Sequence, residues 1–359
     1  MLPAYVSRTE RILLFTALIF IIIIAVKMTA YVITIFLMSL FITLLVLPFH
    51  YWLKKKGLSD LQAVLVITTV STLVVLGILV LTVLSFNILI SDLPQYQAEL
   101  NVRLQDLSAI LSSLGLSTNP NGVPEINLAN ILSMGLVGVM TIFDWMMFLC
   151  FVGLTTFFML VEVSNITRRL EQRFGKDSDT MQQLSRMTGY VSDFIVVRTE
   201  TNFIHGALFG GFLGVMGVHG AIFWGVLTFI LGYIPYFGLI IAAVPAIFFA
   251  WIQFGIPGAL AVIAAVCVLN LVVENPVYSY LAARKFEIPA LIAILSVIVW
   301  GWLLGLVGML FSIPITLIVL LVFQMSDDLR WINEVLGVSH LFEDTKGNKS
   351  DQTHLSQED

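Results

Sequence analysis

Charged residues are scarce in this chain, and several families of catalytic motif are missing from it. Only 11% of the 359 residues are charged, whereas a soluble domain has about 25%. The two cysteines, Cys150 and Cys267, lie inside apolar runs, so the sequence has neither a disulfide framework nor zinc-ligand spacing. It lacks a phosphate-binding G-x-x-x-x-G-K-[ST] loop and the hydrolase motifs H-E-x-x-H and G-x-S-x-G. We therefore expect no enzyme activity, no cofactor and no bound metal.

The chain is instead rich in apolar residues. Hydrophobic residues make up 58% of it, and its mean hydropathy is +0.97. The net charge of -5 and the absence of a basic stripe argue against a nucleic-acid partner. These properties predict an all-α, polytopic membrane protein whose first partner is the lipid bilayer.

Apolar runs long enough to cross a membrane recur along the chain. A hydrocarbon core about 30 Å thick needs roughly 20 helical residues. We predict about eight transmembrane segments, with a turn near Lys27 between the first two. The predicted regions are spans 1–3 in 1–90, an extracytoplasmic amphipathic helix and loop in 91–130, span 4 in 131–162, a cytoplasmic basic amphipathic segment in 163–200, a transport core in 201–325 and a cytoplasmic polar tail in 326–359.

The distribution of basic residues predicts the orientation. Lys54, Lys55 and Lys56 follow the second run, and segment 163–200 is rich in arginine, whereas segment 91–130 has Arg103 as its only basic residue. The positive-inside rule then places both termini and segment 163–200 in the cytoplasm, and segment 91–130 outside. This is the pattern of a multi-pass protein of the cell membrane.

Glycine and proline interrupt two long apolar runs, 221–251 and 289–323, because proline removes a helical hydrogen bond and glycine tolerates a break. Re-entrant hairpins would keep the later basic pair Arg284 and Lys285 in the cytoplasm, whereas single crossings would place it outside, so we favour hairpins. Both runs read W-G-x-L-x4-G followed by Ile-Pro, which is either a coincidence of composition or a structural repeat. The predicted break and hinge residues are Gly232, Pro235, Gly238, Pro245, Gly305, Gly308 and Pro314.

The candidate residues for a solute or ion path are the polar side chains embedded in apolar runs. Glu274 is the strongest of them, because a carboxylate inside the bilayer normally faces a cavity or a partner. If its helix leaves the membrane at Asn275, however, Glu274 is only an interfacial charge. The full set of path candidates is Glu274, Asn270, Asn275, Asp144 and His205. The nearby Arg198 and Glu200 are interpreted as a cytoplasmic surface pair.

Two further patterns concern packing. Gly206, Gly210 and Gly214 recur every four residues, which is typical of close helix packing. Leucines at 100, 104, 107, 111 and 114 form a short heptad seam. That seam could pair with a second copy of the chain, lie on the membrane surface or pack on its own bundle.

Two stretches of sequence resemble the autoinducer-2 exporter family of putative permeases. One runs from Trp224-Gly225 through the Y-I-P-Y-F-G motif of 233–238 to I-A-A-V-P at 241–245, and the other is W-G-W-L-L-G-L-V-G-M-L-F-S-I-P at 300–314. The resemblance implies a roughly eight-span homo-oligomer that exports small polar molecules, among them a furanone-derived signal, and some members are associated with sodium–proton exchange. It also implies break residues at Pro235, Gly238, Pro245, Gly305, Gly308 and Pro314, with Glu274 as the acidic residue.

These observations together predict a secondary transporter that exports a small polar solute by alternating access through the broken helices. A proton or a sodium ion is the candidate coupling ion. One alternative is a monovalent cation/proton antiporter, which needs a titratable carboxylate at depth. A second alternative is a membrane scaffold that transports nothing, whose function would survive alanine at Pro235 and Gly238.

Overall fold

The computed structural model describes residues 8–91, 93–113, 142–276, 288–326 and 328–338, and every regular element in those ranges is a helix. The structure of residues 114–141, residues 277–287 and residues 339–359 lies outside the described residues. The helices are α1 (Arg8–Met28), α2 (Ala30–Lys55), α3 (Asp60–Ser91), α4 (Leu93–Ser113), α5 (Ile142–Phe174), α6 (Asp179–Met216), α7 (Ala221–Leu231), α8 (Phe237–Leu269), α9 (Ala290–Leu310), α10 (Ser312–Met325) and α11 (Arg330–Val335). A π-helix, Asn270–Glu274, extends α8.

Five helical segments among the described residues are long and apolar enough to cross a membrane. They are Ala30–Lys55, Asp60–Ser91, Met146–Phe174, Phe237–Glu274 and Ala290–Leu310. Three shorter apolar helices, Thr16–Met28, Ala221–Leu231 and Ser312–Gln324, accompany them. The protein is therefore a multi-pass helical membrane protein, as its composition predicted.

The predicted turn between the first two apolar runs is wrong. Only Thr29 separates α1 from α2, and its N–H donates to Ala25 O at 3.0 Å while its carbonyl accepts from Ile33 N at 3.1 Å. These i to i−4 hydrogen bonds leave no residues free to reverse the chain, and the only local irregularity is at Thr29, whose φ and ψ are -100° and 11°. Lys27 does not lie at a turn; its Nζ lies 4.0 Å from the centre of the Trp302 ring, a cation–π contact.

The first interrupted run has a helix break where glycine and proline cluster. Helix α7 ends at Leu231 and α8 begins at Phe237, and Tyr236 between them has the positive φ of 63°. The ends of the run lie close together, because His219 N donates to Gln253 Oε1 at 3.2 Å. Pro245 does not interrupt α8; the interruption is at Gly255, whose φ of 70° favours glycine.

The second interrupted run is broken at Gly305, which has a φ of 67° and a ψ of -148° inside α9. The residues after this break pack beside the residues that precede it. A Cβ on Gly308 would overlap Trp300 O, and the Thr316 hydroxyl donates to Ser296 Oγ at 2.8 Å. Gly308 therefore lies inside α9 at a close approach, whereas Pro314 lies in the first turn of α10.

The two broken regions pack against each other in one apolar cluster. Leu231, Ile234 and Ala242 from the first meet Val297 from the second, with Leu227, Met309 and Leu310 around them. The two W-G-x-L-x4-G motifs make different contacts, however. Trp224 donates to His219 O, whereas Trp300 donates to Thr316 Oγ1.

Helices α6 and α7 approach closely along the glycines of α6. A Cβ on Gly206 would lie 2.6 Å from Gly225 O, and one on Gly210 would lie 3.2 Å from Ala221 O. Gly214 has more room, since its nearest contact would be Ala221 Cβ at 3.9 Å. Small residues at the first two positions let the two backbones touch.

We expect Gly206→Ala to lower the free energy of unfolding by about 1–3 kcal/mol, because the new methyl group must push two backbones apart. The matched control is Gly211→Ala in the same helix, where a Cβ meets nothing within 4 Å of the described atoms. Thermal unfolding in detergent measures both variants. Equal melting temperatures for the two would contradict close packing at Gly206.

The first half of α4 packs on the protein's own bundle. Tyr96 and Leu100 are buried in a cluster with Phe249 and Ile252 of α8, and Leu104 lies against it. Three positions were considered for the leucine seam. The part of the seam that the structure describes packs on the protein's own bundle. The side chains of Leu107 and Leu111, and all of Leu114, lie outside the described residues.

Candidate functional site

One face of α6 carries polar side chains toward the break between α7 and α8. Arg198, Asn202 and His205 are spaced i, i+4 and i+7, so a regular helix places them in one row. Asn202 is 1% exposed and His205 is 4% exposed. We call the group formed by Arg198, Thr199, Asn202, His205, Gly232, Tyr233 and Glu274 the break cluster.

Arg198 holds the break cluster together. Its Nη1 donates to Glu274 Oε2 at 2.8 Å, and the two side chains are only 13% and 14% exposed. Its Nε and Nη2 donate to Gly232 O at 3.0 and 2.6 Å. One guanidinium thus joins α6, the end of α7 and the π-helix after α8. The interpretation of Arg198 and Glu200 as a surface pair is wrong: Arg198 pairs with Glu274, and Glu200 is exposed.

The position of Arg198 follows from the chemistry of a helix end. The last carbonyl groups of a helix lack intrahelical donors, and they carry partial negative charge that favours a cation. Gly232 is the C-cap of α7, so its carbonyl is such a group. Glycine is required there because a Cβ would lie 2.6 Å from Asn202 Oδ1.

Tyr233 and Thr199 form a second link between α6 and the break. The Tyr233 hydroxyl donates to Thr199 Oγ1 at 2.6 Å, and the Tyr233 ring meets Phe41 of α2 edge-on at a centroid distance of 5.6 Å. The break is therefore fixed to α6 by two polar links, one from Arg198 and one from Thr199, and supported from α2 by an aromatic contact.

Two buried polar atoms in the break cluster have no hydrogen-bond partner among the described residues. They are Asn202 Nδ2 and His205 Nε2. His205 also lies within electrostatic range of Glu274 and Arg198. Burying an unpaired polar group is costly, so these atoms are suited to hydrogen-bond water or a polar ligand. Together the amide, imidazole and carboxylate can both donate and accept hydrogen bonds.

The structure brings together only some of the residues proposed from sequence. Glu274 and His205 belong to the break cluster. Asn270 and Asn275 are exposed, although Asn270 begins the π-helix that positions Glu274; such helices are frequent at functional sites. Asp144 lies in the first turn of α5, and its side chain is outside the described set.

Sequence reasoning missed Arg198 and Asn202 as site residues. The sequence does contain a signal, because Arg198, Asn202 and His205 share one helical face. Arg198 was nevertheless interpreted as a surface residue because Glu200 is close to it in the sequence. Nothing in the sequence indicates that the carbonyl of Gly232 is a partner, because that contact joins residues far apart along the chain.

A second arginine caps the other break of this region. Arg103 of α4 donates from Nε to Ile252 O at 3.1 Å and from Nη2 to Gln253 O at 3.3 Å. These carbonyl groups precede Gly255, where α8 is interrupted. A cavity of about 460 Å³ lies beside Arg103, with Asp106, Trp251 and Phe254 in its lining. Between the break at Gly255 and Glu274, residues 256–274 are helical and rise about 28 Å along the helix axis, which is close to the thickness of one bilayer core.

Among the described residues, no three His, Cys, Asp or Glu side chains are grouped as a metal site requires. The charges of the break cluster are instead a single acid and a single base in contact. A group of this kind can bind a polar or charged solute, which suits a transport path.

Comparisons with known proteins agree with this architecture. The family model described as AI-2E family transporter matches residues 12–326. The AI-2 transport protein TqsA of Escherichia coli strain K12 is 31% identical over 260 residues, which cover 71% of this chain and 76% of that protein. The putative transport protein YhhT of the same strain is 27% identical over 276 residues, covering 75% and 77%. A putative transport protein of Haemophilus influenzae is 28% identical over 237 residues, covering 63% and 67%.

Proposed function

The chain belongs to the AI-2E transporter family, and from that premise we propose that it exports a small polar solute by alternating access. An autoinducer-2-like signal or a metabolite of similar polarity is the proposed cargo class, since one relative is named an AI-2 transport protein. The observation that carries the proposal is the largely buried Arg198–Glu274 pair at the end of α7. Unpaired buried atoms of Asn202 and His205 adjoin it.

The proposed moving parts are the two broken regions. For the first, a re-entrant hairpin is supported by the contact between His219 and Gln253 at its two ends. For the second, it is supported by the packing of Ser296 beside Thr316. In this proposal the Arg198 cap closes one side of the path and the Arg103 cap closes the other, and each opens in turn.

The proposed location is the cell membrane, with Lys54, segment 163–200 and the C-terminus on the cytoplasmic side and α4 outside. The break cluster then lies near the cytoplasmic end of residues 256–274. We further propose that the protein is a homo-oligomer, which a strictly monomeric species in mild detergent would contradict.

We expect Glu274→Gln to slow solute flux by about 10- to 100-fold, because a hydrogen bond to a charged group contributes about 1.5–3 kcal/mol. The assay is uptake of a panel of polar metabolites into proteoliposomes, with and without imposed proton and sodium gradients. The matched control is Glu200→Gln, an exposed carboxylate on α6, which should retain flux within about twofold because its charge faces solvent.

The outcomes of this assay separate the candidate functions. Solute flux that depends on Glu274 supports the exporter. Sodium flux that depends on pH and on Glu274, without solute flux, supports the cation/proton antiporter, which the buried carboxylate near His205 favours. If the folded protein shows neither solute flux nor sodium flux, the exporter and the antiporter are both contradicted, and the non-transporting scaffold is the hypothesis that remains.

A further inference from the structure

A cavity of about 280 Å³ lies between α2, α3 and α5, away from the helices that carry the break cluster. Its volume is close to the lower end of small-molecule pockets, about 300 Å³. Apolar residues such as Val75 and Leu149 form most of its wall. Three threonines, Thr68, Thr72 and Thr156, add hydroxyl groups.

Two of these hydroxyls have no hydrogen-bond partner within the described part of the chain. Thr68 Oγ1 and Thr156 Oγ1 are both buried, and Thr156 as a residue is 3% exposed. Other hydroxyls of the same helices are satisfied by backbone carbonyls: Ser39 donates to Ile35 O, and Thr82 donates to Ile78 O. An unsatisfied hydroxyl is costly in hydrocarbon, so these two are suited to a ligand that hydrogen-bonds.

The surroundings of the cavity indicate an entrance from the lipid side. All three surrounding helices belong to segments that can cross a membrane, and the lining residues Leu76 and Met146 are 41% and 55% exposed on the outer faces of α3 and α5. A ligand therefore enters from the hydrocarbon phase. Because a charged group is costly at this depth, the ligand must be uncharged.

We propose that this cavity is a binding site for an uncharged amphiphile, with an apolar body and a hydroxyl or carbonyl group that hydrogen-bonds Thr68 and Thr156. A medium-chain alcohol is the simplest member of this class. The site is separate from the break cluster, so the proposal does not depend on the proposed transport function.

The chain supplies its own reporter and its own reference for a test. Cys150 lines the cavity, and Cys267 lies on α8, outside this site; both are free and exposed. The full-length protein in detergent is treated with N-ethylmaleimide in the presence of 1-decanol or of decane. Mass spectrometry then gives the labelling rate of each cysteine separately.

We expect 1-decanol to slow the labelling of Cys150 and to leave the labelling of Cys267 unchanged. Decane should protect Cys150 at least about fivefold less potently, because it lacks the hydroxyl group and so loses about one neutral hydrogen bond. The double variant Thr68→Val/Thr156→Val keeps the cavity shape and should lose the preference for the alcohol, provided that its melting temperature shows a folded protein. Equal protection by decane and decanol, equal protection of Cys267, or an unchanged preference in the double variant would each overturn the proposal. Should the double variant fail to fold, the decanol–decane comparison in the wild-type protein decides.

Discussion

Replacing Arg198 with methionine is expected to lower the free energy of unfolding by about 3–5 kcal/mol and to abolish transport. The change leaves Glu274, which is only 14% exposed, as a carboxylate without its cation, and removing one partner is the costly way to break a largely buried ion pair. It also leaves the Gly232 carbonyl without the two donors that now cap α7. Denaturation in detergent and flux in proteoliposomes measure the two effects.

Two control variants distinguish the effect of breaking the Arg198–Glu274 ion pair from the effect of removing any arginine. Arg173→Met removes an exposed arginine from the last turn of α5 and should change stability by less than about 0.5 kcal/mol. The double variant Arg198→Met/Glu274→Met removes both charges, so it should recover most of the lost stability without recovering transport. A double variant as unstable as Arg198→Met alone would show that the pair is not what stabilises the junction.

Alanine at Gly238 or at Gly308 is expected to cost at least about 3 kcal/mol, the upper end for overpacking, and to prevent assembly of the transport core. An added Cβ would overlap Leu231 O at the first position and Trp300 O at the second. Both obstacles are backbone atoms, so no flexible side chain can move aside. The yield of folded protein and its melting temperature measure the effect.

The control for both glycines is Gly77→Ala in α3, where a Cβ would meet nothing within 4 Å of the described atoms. Alanine is a better helix former than glycine, so this variant should be as stable as the wild-type protein or more stable by up to about 1 kcal/mol. Normal folding of Gly238→Ala would contradict the close approach of the chain on either side of the first break. Normal folding of Gly308→Ala would contradict it at the second.

The broken helices show how far local sequence predicts structure. The cluster Gly232, Pro235 and Gly238 predicted the end of α7, because several residues that oppose a helix lie together there. Pro245 misled the same reasoning: a proline frees a single hydrogen bond, and α8 continues past it. The interruption occurs at Gly255 instead, where Arg103 from a distant helix donates to the carbonyl groups of two preceding residues. Pro257, two residues further on, has no N–H to donate to Gln253 O. The arginine that supplies a donor in its place lies far away in the chain, so local sequence does not identify it.

The side chains of the break cluster illustrate the same limit. Glu274 was found from sequence because a carboxylate in an apolar run is rare and needs an explanation. Its partner was not found, since Arg198 has Glu200 close by in the chain and pairs with Glu274, 76 positions away. Only the packing of α6 beside the α7–α8 break places these two side chains in contact.

By itself the sequence determined that this protein is helical and embedded in a membrane. Hydropathy and the length of an apolar run are properties of neighbouring residues, and insertion into a bilayer depends directly on both. Its broken-run motifs also indicated the transporter family. The tertiary structure alone decided which arginine meets which acid, which glycine breaks a helix and where polar atoms stay unpaired. Each of those outcomes depends on distances between segments far apart in the chain, and local composition does not encode such distances.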